Sequence, residues 1–279
     1  MIRLAKKEWI EPIVKIVGEL NKTVMCYTPF CPSTDEALKE EIHCSIEHKR
    51  LFVYQTDDGF EGVIMYFKTP AGDYDIIGPF VFDENVTIGK ALLDYVIKTL
   101  DMPKINFFFK SNSVFYTKLM KHIHAEINEY EYHLQLKKEC FKPLVSDLTI
   151  SKANEDDRHV VKDMHEAIFN DIYLTSEMLL EGERYQHVYL LKHNRKPIGY
   201  ALLIPKSKTA HLEVFGIVKS FRGKGYGGKF LSCIIDEVFK TTSLTVVTLI
   251  VDVVNENALG LYKKLGFEVI DALVSYQRK

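Results

Sequence analysis

The pattern of apolar residues in the second half of the chain predicts a meander of strands. Apolar segments at Val188–Leu191, Ile198–Pro205 and Thr209–Val218 have the length and composition of strands. The connections between them, residues 194–197 and 206–208, are too short to contain a crossover helix. Because a parallel pair needs a connection of about a dozen residues or more, we expect these strands to be antiparallel.

A glycine-rich segment follows the third of these strands. Residues 221–229 are Phe-Arg-Gly-Lys-Gly-Tyr-Gly-Gly-Lys, and the apolar residues after them recur with the spacing of a helix, at Phe230, Leu231, Ile234, Ile235, Val238 and Phe239. A strand, a glycine turn and a helix N-terminus present backbone N–H groups and the positive end of a helix dipole to an anion. We interpret the segment as a pyrophosphate-binding turn.

Two other nucleotide-binding motifs fit the same glycines less well. Gly223, Gly228 and Lys229 satisfy the P-loop pattern G-x-x-x-x-G-K, but Phe230 stands where a P-loop has the hydroxyl that holds magnesium. The segment also satisfies the dinucleotide pattern G-x-G-x-x-G, and Asp252 ends the next predicted strand. That fold needs parallel strands joined by crossover helices, which the antiparallel meander before the turn does not supply.

Two motifs in the second half resemble the GNAT superfamily of N-acetyltransferases. Arg222-x-x-Gly225-x-Gly227 resembles the R/Q-x-x-G-x-G/A signature, and residues 255–267 resemble the second motif, N-x-x-A-x-x-L-Y-x-x-L-G-F. The resemblance covers about the last 135 residues, which is the size of one domain. It implies a mixed α/β fold, with a mostly antiparallel meander, a splayed pair of parallel strands and flanking helices. It also implies acetyl-coenzyme A as the acyl donor.

The resemblance further implies where coenzyme A binds. The pantetheine arm would lie between the splayed strands, here Thr209–Val218 and Leu244–Val251, and the pyrophosphate would rest on the backbone of the glycine turn. Asn255 stands at the N-cap of the last helix, where capping and a hydrogen bond to the pantetheine arm are compatible. The expected coenzyme A-binding residues are Ile217, Val218, Arg222, Gly223, Lys224, Gly225, Tyr226, Gly227, Gly228, Lys229 and Asn255.

The strand before the glycine turn carries two candidates for a catalytic base. His211 and Glu213 are expected to lie on one face of the strand, together with Phe215 and Ile217. The sequence leaves open whether Glu213, His211 or a water molecule takes the proton of an acceptor amine. Tyr262 falls at the acid position of the family and is expected to protonate the departing thiolate. The acetyl group would move directly to the amine, and no metal is required.

The first half looks like a degenerate copy of the second. Its predicted elements follow the same order: helices at Glu8–Leu20 and Thr34–His48, strands at Leu51–Gln55, Phe60–Lys68 and Tyr74–Phe82, a helix over residues 92–100, a strand at Ile105–Phe109 and a helix from Ser113. Residues 82–88 replace the glycine turn, and they contain no glycine but two carboxylates, Asp83 and Glu84. These carboxylates suit a helix N-terminus by themselves and would repel a pyrophosphate.

We therefore expect two tandem GNAT-like domains. Residues 1–145 would form a domain that does not bind coenzyme A and has a structural or acceptor-pocket role, and residues 146–279 would form the catalytic domain. The loop Phe169–Leu174 is expected to cover the acceptor site, but its mixed composition does not identify the acceptor, a small-molecule or peptide amine.

Composition narrows the class of protein and its partners. The 279 residues contain 36 Lys and Arg against 38 Asp and Glu, so nothing indicates nucleic acid as a partner. No apolar run reaches the length of a membrane span and no signal peptide is recognisable, so we expect no membrane partner. Five cysteines, an odd number in a long chain, favour reduced thiols and a cytoplasmic location. Cys26, Cys31, His43 and Cys44 lack the usual spacing of a zinc site.

An N-acetyltransferase is the function that these motifs favour. The alternatives are transfer of a longer acyl group and a catalytically weak protein that binds acyl-coenzyme A as a sensor or regulatory subunit. The sequence leaves both a monomer and a homodimer open.

Overall fold

The computed structural model describes residues 1–32, 34–69, 72–100, 104–169, 174–194, 196–206 and 208–279, with the side chain of residue 100 excepted. The chain forms two compact units. The first contains Met1–Glu131 and Ala272–Lys279, and the second contains Tyr132–Asp271. Each unit is a mixed sheet flanked by helices, which confirms the predicted fold class.

Of the strand pairs described in the first unit, one is parallel and the others are antiparallel. Its strands, in spatial order, are β1 (Ile2–Leu4), β2 (Leu51–Thr56), β3 (Gly59–Lys68), β4 (Tyr74–Val81) and β5 (Ile105–Lys110), followed by the last residues of the chain. The parallel pair is β4 and β5. Its helices are α1 (Ile10–Leu20), α2 (Asp35–Glu47), α3 (Val86–Leu100) and α4 (Val114–His122).

The second unit repeats this arrangement and contains the predicted meander. In spatial order its strands are β7 (Ile150–Lys152), β8 (Val188–His193), β9 (Lys196–Lys206), β10 (Thr209–Ile217) and β11 (Val246–Asp252). β7 to β10 are antiparallel neighbours, and β10 and β11 are parallel. Its helices are α5 (Arg158–Ile168), α6 (Ser176–Leu180), α7 (Tyr226–Thr241) and α8 (Glu256–Leu265).

The two faces of the second sheet have separate hydrophobic cores. α7 and α8 cover one face, where Ile234 and Leu259 pack with Leu249 of β11. α5 and α6 cover the other face, where Val161 and Leu179 pack with buried residues of β8, β9 and β10. Because successive side chains of a strand point to opposite faces, this division shows which face each residue of the site occupies.

Two strands pass from one unit to the other. β6 (Glu126–Lys137) begins in the first unit and ends beside β11, where Leu134 and Leu136 are buried in the core of the second unit. β12 (Glu268–Arg278) begins in the second unit and ends in the first, where Leu273–Arg278 pairs antiparallel with β5. The units therefore divide the chain at residues 131 and 271, whereas the sequence suggests residue 145. A continuous strand carries no local signal that it changes sheet, but residues 141–149 lack regular structure and resemble a linker.

None of the helices in the described residues is long and apolar enough to cross a membrane.

Candidate active site

The parallel strands β10 and β11 pair along only part of their length. The paired residues are Thr209–Leu212 on β10 and Val246–Leu249 on β11. β10 continues to Ile217 as a neighbour of β9, and β11 continues to Asp252. Beyond residue 212, then, the facing backbone edges of the two strands are not paired with each other in the described chain. An extended ligand with amide groups can pair with such edges, as a further strand would.

A β-bulge lies where the strands separate. The register between β10 and β9 shifts between Leu212 and Val214, so Glu213 is the extra residue. Before the bulge, Leu212 packs in the core under α7, and after it Val214 packs in the core under α5. Phe215 lies in ring contact with Phe230 of α7, 5.9 Å between centroids. The expectation that Phe215 and Ile217 share the face of His211 is therefore wrong, because the bulge inverts the alternation.

The glycine turn joins β10 to α7. After one turn of 3-10 helix at Lys219–Phe221, Gly223 and Gly225 have φ of 75° and 80°, and Gly225 is the N-cap of α7. A Cβ atom on either glycine would meet no atom within 4 Å. Left-handed backbone conformation, rather than lack of space, is therefore what requires glycine at these two positions.

Backbone N–H groups of the turn are available to a ligand. Among the described residues, no hydrogen-bond acceptor is found for the N–H groups of residues 223–228. The next amide, that of Lys229, donates to the carbonyl of Gly225 over 3.4 Å. Because these N–H groups also lie at the positive end of the α7 dipole, they can bind the oxygens of an anion.

The basic side chains of the turn have protein partners of their own. Arg222 donates from Nε to the carbonyl of Ile217 over 2.7 Å, which ties the turn to the end of β10. Lys224 donates from Nζ to the carbonyl of Ser220 over 3.0 Å. Lys229 lies 3.5 Å from a carboxylate oxygen of Asp147. The backbone is therefore the better-organised anion-binding group here, and the lysines add positive charge around it.

A pocket of about 320 Å³ adjoins the glycine turn. Its lining combines the start of α7 with the β8–β9 hairpin and with the segment before β7: Asp147, Leu148, Thr149, Lys192, His193, Asn194, Lys224, Tyr226 and Lys229. The hydroxyl of Tyr226 lies 3.4 Å from Nδ1 of His193. Lys192, His193 and Asn194 were not predicted as site residues, and the only signal for them in the sequence is the run of basic residues in that hairpin.

His211 and Glu213 lie close together. Nε2 of His211 is 3.9 Å from Oε2 of Glu213, and Nδ1 of His211 is 3.0 Å from Oγ1 of Thr248 on β11. Burial raises the pKa of Glu213. Burial, together with the nearby His133, lowers the pKa of His211 to about 4. His211 is therefore a neutral imidazole at physiological pH, and the carboxylate of Glu213 has a raised affinity for a proton.

Helix α8 holds the other two predicted residues. Asn255 caps the helix, because its Oδ1 accepts a hydrogen bond from the amide of Ala258 over 3.2 Å, and Gly266 ends it with φ of 101°. Tyr262 is 8% exposed and packs beside Phe267. Burial raises the pKa of Tyr262 to about 12, so it is a protonated phenol at neutral pH. No hydrogen-bond partner for its hydroxyl is found in the described part of the chain.

The equivalent place in the first unit is occupied by the chain itself. β4 and β5 pair only over Tyr74–Ile76 and Ile105–Phe107, so this parallel pair separates too. Tyr116, which corresponds to Tyr262, donates its hydroxyl to the carbonyl of Cys26 over 3.1 Å. Ser113 donates its hydroxyl to the carbonyl of Met25 over 2.7 Å. The Met25–Cys26 segment thus uses the hydroxyl of Tyr116, whose counterpart on Tyr262 has no partner among the described residues.

The N-terminus of α3 also differs from that of α7. Oδ1 of Asn85 accepts hydrogen bonds from the amides of Thr87 and Ile88 over 3.1 and 3.3 Å. The two carboxylates predicted to replace the glycine turn, Asp83 and Glu84, both have positive φ, of 51° and 52°. Amides at this helix end are therefore already satisfied by a side chain.

The predicted acceptor loop lies partly outside the described residues. The acceptor loop predicted at Phe169–Leu174 includes residues 170–173, which lie outside the described residues. Within the described residues, no group of three or more His, Cys, Asp or Glu side chains is arranged to hold a metal ion.

Comparisons with known proteins agree with this geometry. Residues 151–267 match the model of the Acetyltransferase (GNAT) family. A comparison with curated protein sequences found no significant match. A GCN5-related N-acetyltransferase from Sphaerobacter thermophilus has a similar structure, with a TM-score of 0.79, 14% identity and coverage of 100% of this chain and 95% of that one.

Two further structures extend the similarity along the whole chain. A tandem GNAT protein from the clavulanic acid biosynthesis pathway has a TM-score of 0.69 and 10% identity, covering 100% of this chain and 98% of that one. An acetyltransferase of the GNAT family from Colwellia psychrerythraea has a TM-score of 0.65 and 13% identity, with 100% of each chain covered.

The fold and the site define an α/β protein built from two tandem GNAT folds. Residues 151–267 match the model of the acetyltransferase (GNAT) family, whose members transfer acyl groups from acyl-coenzyme A. The first half has the GNAT fold as well, but the family match does not extend to it.

Proposed function

We propose that the second unit is an N-acetyltransferase that moves an acetyl group from acetyl-coenzyme A directly to a primary amine of a small molecule or peptide. The observation that carries the proposal is the row of N–H groups at residues 223–228 beside two strands that separate after residue 212. The first element suits a diphosphate, and the second suits an extended arm that contains amides. Coenzyme A has both in one molecule.

The pantetheine arm would pair with the free edge of β10 and lie along α8. Asn255 uses its Oδ1 to cap α8, so its amide nitrogen remains able to donate to the arm. Ile217 and Val218 end the strand at the point where the arm reaches the pyrophosphate. A backbone N–H of β10 would stabilise the oxyanion that forms when the amine attacks the thioester carbonyl.

Glu213 is the proposed base. An amine must lose a proton before or during its attack, and a carboxylate with a raised pKa accepts that proton better than an ordinary surface carboxylate. His211 is a weaker candidate, because a pKa of about 4 gives its imidazole little affinity for a proton at neutral pH. Glu213 can act directly or through a bound water.

Tyr262 is the proposed acid. When the carbon–sulfur bond breaks, the leaving group is the thiolate of coenzyme A, and the phenol can protonate it as it forms. One observation supports this role: the hydroxyl has no partner within the described residues. Burial raises the pKa of Tyr262 to about 12, so the phenol is protonated at neutral pH but is a weaker acid than an unperturbed tyrosine. In the first unit, by contrast, the hydroxyl of Tyr116 is used by the Cys26 carbonyl.

The test is a panel of amines incubated with acetyl-coenzyme A and the full chain. The panel would include polyamines, amino sugars, amino acids and short peptides, and release of free thiol would be recorded beside the acetylated product. Calorimetry with acetyl-coenzyme A would be run in parallel. Binding with transfer supports the proposal, and binding without transfer to any amine favours the sensor. Absence of binding would refute both.

A further inference from the structure

The imidazole of His211 lies between a hydroxyl group and the proposed base. His211 and Thr248 are direct partners in the parallel pairing of β10 and β11, one pair before the strands separate. Nδ1 of His211 lies 3.0 Å from Oγ1 of Thr248, and its other nitrogen, Nε2, lies 3.9 Å from Oε2 of Glu213. His211 and Thr248 point to the face opposite α7, because their neighbours Leu212 and Leu249 are buried under that helix, and the carboxylate of Glu213 lies on the same side, within 3.9 Å of His211.

A neutral imidazole has a single N–H, and its partners decide which nitrogen carries it. His211 is neutral at physiological pH. A carboxylate close to Nε2 favours a hydrogen on that nitrogen, since the alternative would place a lone pair opposite a negative charge. The hydroxyl of Thr248 can then donate to Nδ1, because a hydroxyl is both a donor and an acceptor.

We propose that Thr248 and His211 are positioning residues for the base: the Thr248 hydroxyl donates to Nδ1 of His211 and so directs the Nε2–H of the imidazole at the carboxylate of Glu213. The inference rests on the proposed function of Glu213. It gives His211 a role other than that of base, and it gives Thr248 a role that no sequence motif indicates.

The arrangement has two effects on Glu213. The N–H dipole restrains the carboxylate on the side where the strands separate, and it favours the charged form of the carboxyl group. The second effect opposes burial, which favours the neutral form. His133, on the neighbouring strand β6, is a further titratable group that acts on His211, and its positive charge would also disfavour protonation of His211.

Thr248→Val removes the hydroxyl but keeps a β-branched side chain, and Thr248→Ser is the matched control because it keeps the hydroxyl. Nitrogen-15 NMR of histidine-labelled protein reports the tautomer of His211 directly, and the His211→Gln variant assigns its resonances. We expect Nε2–H in the wild type and in Thr248→Ser between about pH 6 and 8, and a mixture of tautomers in Thr248→Val. Wild-type resonances in Thr248→Val would overturn the proposal.

The rate of acetyl transfer gives a second, separate readout. The acid limb of kcat/KM reports the titration of the base in the free enzyme. We expect Thr248→Val to move this limb to higher pH by roughly half a unit to one unit, while kcat at high pH stays within about threefold and Thr248→Ser behaves as wild type. An unshifted limb in Thr248→Val would contradict the proposal. If no amine is acetylated by the wild type, the proposed function fails, and the NMR result still decides the tautomer.

Discussion

At the scale of single residues, burial shifts the pKa of each candidate side chain. It raises the pKa values of Tyr262 and Glu213 and lowers that of His211. The phenol therefore keeps its proton, the carboxylate gains affinity for one, and the imidazole stays neutral. This is the combination that a direct transfer from a thioester to an amine requires, with one group that gives a proton and one that takes it.

Tyr262→Phe tests the acid. The change removes one oxygen and leaves the packing against Phe267 in place. We expect kcat for acetyl transfer to fall about 100-fold with little change in the affinity for acetyl-coenzyme A, because the interaction is made mainly with the leaving group. Tyr116→Phe is the matched control in the first unit and should keep kcat while it destabilises the fold by about 1 kcal/mol. Equal kcat for wild type and Tyr262→Phe would refute the assignment.

Glu213→Gln should separate activity from stability. A folded-state pKa above the unfolded value means that the native state binds more protons than the unfolded state between these two values. The free energy of unfolding of the wild type therefore falls as pH rises through this window, relative to that of the variant. We expect the variant to be more stable at neutral pH, by about 1 kcal/mol, and to lose most of its transfer activity.

Denaturant unfolding at a series of pH values measures this difference. The carboxylate contributes no such penalty below its unfolded pKa of about 4.3, so the two proteins should converge there. A variant that is less stable than wild type at neutral pH would show that the carboxylate is stabilised by contacts rather than penalised by burial.

At the scale of elements, the site depends on how one strand ends and one helix begins. The bulge at Glu213, the separation of β10 from β11 and the left-handed glycines follow one another within residues 212–225. Together they bring a free strand edge and a helix N-terminus to the same end of the sheet. At each of these departures from regular structure, backbone groups lack the hydrogen bonds of a regular strand or helix, and a ligand can supply them.

Gly225→Ala tests the turn. At φ of 80° a side chain strains the backbone, so we expect a loss of about 1 kcal/mol in the free energy of unfolding and weaker binding of acetyl-coenzyme A. Gly260→Ala is the matched control, because Gly260 lies within α8 and an added Cβ there meets nothing within 4 Å. It should stabilise the protein by about 0.5–1 kcal/mol and leave binding unchanged. Calorimetry and denaturant unfolding measure both effects.

Periodicity and turn chemistry were enough to predict most of the elements and their order, but not the strands β1 and β6. The meander, the glycine turn and the caps of α8 all depend on neighbours in sequence, so the sequence contains their signals. The bulge has no such signal in the local sequence, because it depends on how β10 is paired with β9. Since the bulge was not predicted, Phe215 was expected on the wrong face of the strand. Lys192–Asn194 and Thr248 reach the site through tertiary packing; a run of basic residues is the only sequence signal for the first three, and no motif marks Thr248.

At the scale of the whole molecule, two units with the same fold differ in what occupies the place where their parallel strands separate. In the first unit Met25 and Cys26 take up the hydroxyl groups of Ser113 and Tyr116, and Asn85 caps the helix that would otherwise bind an anion. In the second unit the corresponding amides and the hydroxyl of Tyr262 have no partner among the described residues. We therefore assign coenzyme A binding to the second unit alone, as a proposal.

Calorimetry with acetyl-coenzyme A should give one site per chain. Gly225→Ala should weaken that site, and no second site should become visible at higher ligand concentration. The control is Ser113→Ala, which removes a hydrogen bond of the Met25–Cys26 segment and should leave the stoichiometry at one. Two sites per chain in the wild type would mean that the first unit binds the nucleotide despite its own segment.

The strands β6 and β12, which pass from one unit to the other, have a consequence for a chain that is cut between them. Val145 is 96% exposed and lies between β6 and β7, so it is an accessible point for a protease. A nick there would yield two fragments, each of which contributes a strand to the sheet of the other through β6 and β12. The fragments would remain interlocked without a covalent bond, and separating them would require unfolding a sheet rather than merely opening a hinge.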